Sequence, residues 1–160
     1  MNSTRQARPR SRRHAAPQLS LAVQFGIDSD TLPSRARLRT WAKAATEGNA
    51  NVTLRLVGAR EARKLNRDFR GRDYATNVLT FVYPELDPLS GDIVLCVPVI
   101  AREARAQRKT FDAHFAHLVV HGMLHLQGYD HENEADAGRM ESREAEIVAN
   151  LGYADPYGER

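Results

Sequence analysis

One stretch constrains the fold of this chain more than any other: residues 110–128, TFDAHFAHLVVHGMLHLQG. It is the strongest helix prediction in the sequence. Gly128 predicts the end of that helix, because glycine readily adopts the left-handed conformation found after a last helical turn. Any fold must accommodate this helix together with the histidines that it carries.

The histidines of this helix have the spacing of a metal site. His121 and His125 are four residues apart, so they lie about 40° apart around the helix axis and about 6 Å apart along it. Two imidazoles placed in this way can chelate one ion. His131 follows Gly128, and a turn there can bring its ring to the same ion. Three nitrogen ligands with an open fourth position are typical of catalytic zinc sites rather than structural ones.

Three neighbouring residues have more than one interpretation. His117 lies one turn before His121 and can be a fourth ligand, a partner that orients a ligand, or a group near the substrate; we favour the last two, because a filled fourth position would block chemistry. Asp130 can accept a hydrogen bond from a ligating histidine, or it can cap the next helix. His114, near the helix start, is expected to have a structural role.

Gly122 stands where zinc peptidases with the HExxH motif carry the glutamate that acts as general base. Peptide hydrolysis by that route loses its base here. Glycine inside a helix is unfavourable by about 1 kcal/mol relative to alanine, so we expect another chain segment or the substrate to approach closely. A phosphodiester remains a suitable substrate, since zinc can provide hydroxide near neutral pH and arginine pairs well with phosphate oxygens.

The remaining sequence predicts one α+β domain, which suits a length of 160 residues. The element order β-α-β-α-β-β-α-α-α fits a small mixed sheet of about four strands with helices packed on it. We expect the third and fourth strands to be central because they are almost continuously apolar. The second helix is expected to point Ala62, Leu65 and Phe69 inward. The segments that predict strands are LSLAVQF, NVTLRLVG, TNVLTFVY and GDIVLCV.

The net charge of +3 conceals an asymmetry along the chain. Residues 1–80 carry 16 Lys and Arg against 6 Asp and Glu (+10), whereas residues 81–160 carry 7 against 14 (−7). A basic half favours an anionic partner, nucleic acid first of all, although arginines spread over solvated faces are the simpler alternative. No apolar run approaches the length needed to span a bilayer. The single cysteine, Cys96, excludes an internal disulfide and is consistent with a reducing compartment.

Residues 1–18, MNSTRQARPRSRRHAAPQ, contain five arginines, two prolines and no acidic residue. Such a segment cannot bury enough apolar surface to fold, which predicts a disordered arm. It lacks the apolar core of a secretory signal. An organelle transit peptide, an RNA-contacting arm and a dispensable extension all fit its composition. The ordered domain is expected over residues 19–157.

Two segments of the chain resemble a known family. HGMLHLQGYDH resembles the signature of the YbeY family, the zinc-dependent bacterial endoribonucleases of ribosomal RNA maturation, and LNRDFRGRDYATNVLTF resembles that family's other characteristic stretch. GDIVLC and LGYADPYG also match, so the resemblance covers roughly residues 19–157. The chain departs from the family pattern at residues 80–82, where Thr-Phe-Val replaces the usual Ser-Phe-Pro.

The resemblance implies a zincin-like site with His121, His125 and His131 holding one zinc ion per chain. It also implies that Arg70 contacts the substrate phosphate, although this residue alone would be interpreted as a solvated arginine at a helix end. The implied function is a single-strand-specific endoribonuclease that acts in the cytoplasm in 16S rRNA 3′ end maturation and 70S ribosome quality control. Ribosomal proteins or a GTPase are expected as protein partners.

Basic residues near Arg70 are candidates for binding RNA phosphates, and a solvated helix face is the ordinary alternative. Two other functions stay open. One is a metal-dependent hydrolase of another substrate, including a peptidase without the usual base. The other is a ribosome-associated RNA-binding factor with little catalysis. The candidate RNA-binding residues are Arg60, Arg63, Lys64, Arg67 and Arg72.

Overall fold

The computed structural model describes residues 16–158, so most of the predicted N-terminal arm, with His14, lies outside the described residues. Within that range the element order is the predicted one, and the α+β fold is confirmed. The strands are β1 (Leu19–Phe25), β2 (Ala50–Val57), β3 (Val78–Tyr83) and β4 (Leu89–Cys96). The helices are α1 (Arg35–Ala44), α2 (Ala59–Arg70), α3 (Val97–Ala106), α4 (Phe111–Leu126) and α5 (Glu134–Asn150).

The four strands form one mixed sheet in the order β1-β2-β4-β3. β2 pairs in parallel with β1 and β4, and β3 pairs antiparallel with β4. The predicted central position of β4 is confirmed, but that of β3 is wrong. A short link joins antiparallel neighbours, so β3 folds back beside β4 on the side that β2 leaves open, and it becomes an edge strand with Val82 and Tyr83 exposed.

The main core lies between one face of the sheet and helix α4. Phe115, Met123 and Leu124 of α4 are fully buried, and they share an apolar cluster with Leu54 and Ile93 of the sheet. Helices α1, α3 and α5 also pack against α4. Among residues 16–158, no helix combines the length and the apolar character needed to cross a membrane.

Helix α2 covers the opposite face of the sheet only in part. Ala62 is buried and Leu65 is half-buried, as predicted, but Phe69 is 65% exposed, so its predicted inward position is wrong. The apolar stripe of α2 runs beyond the small cluster that holds Ala62. Phe69 in the last turn therefore remains largely exposed, and its ring packs edge to face on that of Phe81, with the centroids 5.4 Å apart.

Helix α4 approaches strand β4 closely through two glycines. A Cβ atom on Gly122 would lie 2.9 Å from Cγ2 of Ile93, so the predicted close approach is confirmed, and the approaching segment is β4. A Cβ atom on Gly91 would lie 2.3 Å from Cδ1 of Leu126 and 2.5 Å from the carbonyl oxygen of Phe81. Position 122 thus faces the sheet, and a glutamate there would collide with Ile93.

We expect Gly91→Ala to lower the free energy of unfolding by about 1–3 kcal/mol or more, as overpacked cores do. The backbone oxygen of Phe81 cannot move aside without disturbing the pairing of β3 with β4. Urea denaturation measures the change. Gly48→Ala is the matched control, because a Cβ atom at Gly48 meets nothing within 4 Å. Equal midpoints for the two variants would contradict the tight packing of α4 on β4.

Candidate active site

The structure brings the three predicted metal ligands to one cleft. His121 and His125 lie on successive turns of α4, and His131 lies in the turn that follows. Gly128 has the left-handed conformation predicted for it, with φ of +106°. The ring centroid of His131 lies 5.7 Å from that of His121 and 6.0 Å from that of His125.

Hydrogen bonds at Nδ1 orient two of the rings. Nδ1 of His121 lies 2.5 Å from Oε1 of Glu144, and Nδ1 of His125 lies 3.2 Å from the carbonyl oxygen of Tyr129. A histidine that donates from one ring nitrogen can coordinate a metal through the other. Within residues 16–158, no hydrogen bond engages Nε2 of either ring. Burial lowers the pKa of His125, which favours the neutral form that a ligand requires.

Three imidazole nitrogens are suitable ligands for a zinc ion, but the three rings stand slightly further apart than they would around a bound zinc. Three imidazoles on one tetrahedral zinc place their ring centroids about 5 Å apart, so the distances of 5.7 Å and 6.0 Å are somewhat longer. Accordingly, no three His, Cys, Asp or Glu side chains in the described part of the chain stand close enough together in this structure to hold a metal ion. His131 is the exposed member of the three, so zinc binding would require its side chain to move closer to His121 and His125.

Glu144 on α5 is a site residue that the sequence reasoning missed. Its side chain is fully buried and contacts Nδ1 of His121, Nε2 of His117 at 3.1 Å and the hydroxyl of Tyr157, which donates to it. Burial raises the pKa of the Glu144 carboxyl, but the hydrogen bonds from His117, His121 and Tyr157 outweigh burial and lower its pKa from 4.5 to about 2. The carboxylate therefore stays ionised and fixes the orientation of the His121 ring.

A signal for Glu144 is present in the sequence. Met140, Ile147 and Val148 form the buried apolar stripe of α5, and Glu144 falls on the same stripe. A charged residue in such a position must be buried, and a buried carboxylate needs hydrogen-bond partners. The histidines of α4 are the partners that the chain offers.

The two residues predicted to assist the ligands have different positions. His117 is not among the residues that line the cleft, but it contacts the ring of His121 edge to face, with the centroids 6.4 Å apart, and it shares the Glu144 carboxylate with His121. Asp130 lines the cleft, and its Oδ1 accepts a hydrogen bond at 2.7 Å from the backbone N–H of His131. The alternative that Asp130 caps the next helix is wrong, since Asn133 caps α5.

His114 lies away from the cleft as a buried residue of α4. Its Nε2 atom is 2.9 Å from Oε1 of Glu103 on α3, and the same carboxylate accepts a hydrogen bond from Asn77. This position agrees with the structural role expected for His114, because the contact ties α4 to α3 and to the start of β3.

Arg70 reaches the same cleft from the opposite side. Helix α2 ends at this residue because Gly71 adopts a left-handed conformation, with φ of +70°. Nη2 of Arg70 donates a hydrogen bond at 2.7 Å to the carbonyl oxygen of Thr80, which holds the guanidinium at the edge of β3. The cleft has a volume of about 540 Å³, with the three histidines and Arg70 among its lining residues.

The sequence motifs agree with the comparisons to known proteins. The model of the endoribonuclease YbeY family matches residues 29–152. The chain belongs to the YbeY family. It is 57% identical to the endoribonuclease YbeY of Aromatoleum aromaticum, over 89% of this chain and 95% of that protein, and 55% identical to that of Thiobacillus denitrificans, over 89% and 98%. A solution structure of TM1509 from Thermotoga maritima matches with a TM-score of 0.52 and 27% identity, over 88% and 99% of the two chains.

The further basic residues predicted to bind RNA in this YbeY-family chain are mostly outside the cleft. Arg72 lines it, with Nη1 3.4 Å from the hydroxyl of Tyr74. Asp73 and Asp68 neutralise part of the positive charge of α2, because Asp73 accepts two hydrogen bonds from one arginine and Asp68 contacts two other basic residues. The exposed basic residues of α2 outside the cleft are Arg60, Arg63, Lys64 and Arg67.

Proposed function

We propose that this chain is a zinc-dependent endoribonuclease that cuts single-stranded RNA, and that it acts in the cytoplasm on the 3′ end of 16S rRNA and in 70S ribosome quality control. The observation that carries the chemical part is the convergence of His121, His125 and His131 with Arg70 on one cleft. Relatives that bear the name endoribonuclease YbeY support the RNA substrate. The ribosomal role, with ribosomal or GTPase protein partners, rests on the family resemblance.

His121, His125 and His131 would hold one zinc ion and leave a fourth position open to the cleft. A zinc ion in such a site supplies Lewis-acid chemistry and makes water a nucleophile near neutral pH. Glu144 holds the ring of His121 in the orientation that exposes Nε2. The carbonyl oxygen of Tyr129 does the same for His125, so these two ligands have the tautomer that metal binding requires before substrate arrives.

Arg70 supplies the positive charge that the reaction needs on the side opposite the histidines. A guanidinium has five N–H donors in a planar fork, and one nitrogen of Arg70 is engaged by the carbonyl oxygen of Thr80. The remaining donors can pair with phosphate oxygens and stabilise the charge that develops on them. The peptidase alternative is disfavoured, because Gly122 faces Ile93 and offers no base at the HExxH position.

Removal of the metal is expected to abolish cleavage. The purified protein should contain about one zinc per chain, lose it on dialysis against a chelator, and recover cleavage of a labelled single-stranded RNA when zinc is added back. Zinc content and cleavage are measured on the same samples. Cleavage that persists without metal would contradict the proposal. RNA binding without cleavage at full zinc occupancy would favour the ribosome-associated binding factor.

We expect Glu144→Gln to lower zinc affinity by about 10- to 100-fold, the usual effect of losing a carboxylate that orients a ligating histidine. The amide preserves the shape of the side chain but not its charge. Competition with a chromophoric chelator measures the affinity. Glu146→Gln on the same helix, with 64% of its side chain exposed, is the matched control. Parental zinc affinity in Glu144→Gln would show that this carboxylate does not support the site.

A further inference from the structure

A second cavity lies on the face of the sheet that α2 leaves uncovered. It has a volume of about 830 Å³, and we call it the aromatic groove because Phe69, Phe81 and Tyr83 line it together with Val82. Phe69 is 65% exposed, Val82 41% and Tyr83 39%. A cluster of large exposed apolar side chains of this kind is typical of a binding surface.

The aromatic groove continues directly into the cleft of the three histidines. Arg70, Thr80 and His125 line both cavities, so the two meet at the edge of β3. The guanidinium carbon of Arg70 also lies 5.7 Å from the ring centroid of Phe81. An RNA strand whose phosphate is bound at Arg70 therefore has its adjacent nucleotides at the entrance of the groove.

The charges of the aromatic groove are balanced. Arg55 and Arg70 line it together with Glu61 and Asp92. Glu61 binds Arg55 through two hydrogen bonds of 2.6 Å and 2.8 Å, and the hydroxyl of Tyr83 donates to Asp92. This surface has no excess positive charge to follow a phosphate backbone. It suits flat, uncharged groups with a π-face.

We propose that the aromatic groove is a stacking subsite for unpaired nucleobases next to the phosphate that is cut, with Phe69 as the main platform and Tyr83 as the second. The inference rests on the proposed function, because RNA bound at Arg70 is what places bases in the groove. Stacking on exposed aromatic rings tolerates any base sequence. A base within a duplex is already stacked and paired, so this subsite selects single strands.

The test measures binding of two probes to the full-length, zinc-loaded chain by fluorescence anisotropy. One probe is a labelled 2′-O-methyl oligouridylate, checked on a gel to be uncut, and the other is an abasic oligomer of the same length. Phe69→Ala is expected to weaken binding of the oligouridylate by about 5- to 100-fold and to leave the abasic oligomer unchanged. Phe69→Trp should retain binding, because indole provides a larger π-face.

The matched control is Phe25→Ala. Phe25 is 37% exposed on β1, at the other edge of the sheet, and lines neither cavity. Its loss should change the binding of neither probe. Phe69 is largely exposed, so its replacement should leave the circular dichroism spectrum and the unfolding midpoint of the parent unchanged, which separates lost stacking from lost folding.

Three results would overturn the stacking subsite. The first is that Phe69→Ala binds both probes as tightly as the parent protein does. The second is that Phe69→Ala loses the same affinity for both probes, which would indicate that Phe69 contacts the RNA backbone. The third is self-association of the parent that Phe69→Ala abolishes, since that would assign the groove to a second copy of the chain. If the parent protein holds zinc and cuts RNA, and Phe69→Ala binds both probes as the parent does, then only the stacking subsite is refuted. A parent without zinc or cleavage refutes the proposed function, whatever the binding data show.

Discussion

The His121→Ala protein is expected to lose its bound zinc and roughly 10³-fold or more of its RNA cleavage, since the metal contributes several kcal/mol to the transition state. His125 and the exposed His131 are left as the remaining ligands, and two imidazoles do not hold a catalytic zinc. The substitution also removes one of the partners of the buried Glu144 carboxylate, so a loss of stability accompanies the loss of metal.

His131→Ala separates these two effects. His131 is exposed and makes no contact with Glu144 among the described hydrogen bonds, so its removal should cost zinc and activity while leaving the unfolding midpoint of the metal-free protein unchanged. Zinc per chain is measured by atomic absorption and cleavage with a labelled single-stranded RNA. Parental zinc content in both variants would overturn the ligand assignment. Cleavage that survives in both would indicate a contaminating nuclease.

Arg70→Ala is expected to reduce cleavage by about 10²- to 10³-fold, as the loss of one preorganised donor to a developing oxyanion does. Its zinc content should stay parental, because Arg70 contacts Thr80 and none of the histidines in the described hydrogen bonds. Arg70→Lys should recover only part of the activity. Lysine retains the charge but not the planar fork that pairs with two phosphate oxygens.

The control for Arg70 is Arg60→Ala, which removes an exposed arginine from the same helix outside the cleft. Rates are measured with zinc-saturated proteins at several RNA concentrations, so that kcat and KM are obtained separately. A parental kcat in Arg70→Ala would exclude Arg70 from catalysis. A loss of zinc in that variant would assign it a structural role instead.

Much of the fold follows from local sequence patterns, and the predictions that were wrong concern which side chains and strands are buried. The element order is a local property of the sequence, and the structure confirms it. The central position predicted for β3 and the inward position predicted for Phe69 are both wrong. An apolar side chain indicates a preference for burial, but whether a neighbour is present to bury it depends on the order of the strands and on how far α2 extends over the sheet.

Part of the site could be predicted in the same way. His121, His125 and His131 lie within one helix and its following turn, so their proximity is a local property. Glu144 was missed because it acts across the interface between α5 and α4. A charged residue on an apolar stripe predicts a buried charge, but the pattern does not indicate which residue that charge contacts.

The sequence by itself determined the spacing of the ligands and the absence of a base at Gly122, because helix periodicity fixes which side chains share a face. Only the tertiary structure decided what surrounds them. Pairing with β4 makes β3 an edge strand beside α4, and its Thr80 carbonyl then holds Arg70 across the cleft from histidines some fifty residues later in the chain. Contacts between residues so far apart depend on strand order and helix packing, which no local periodicity encodes.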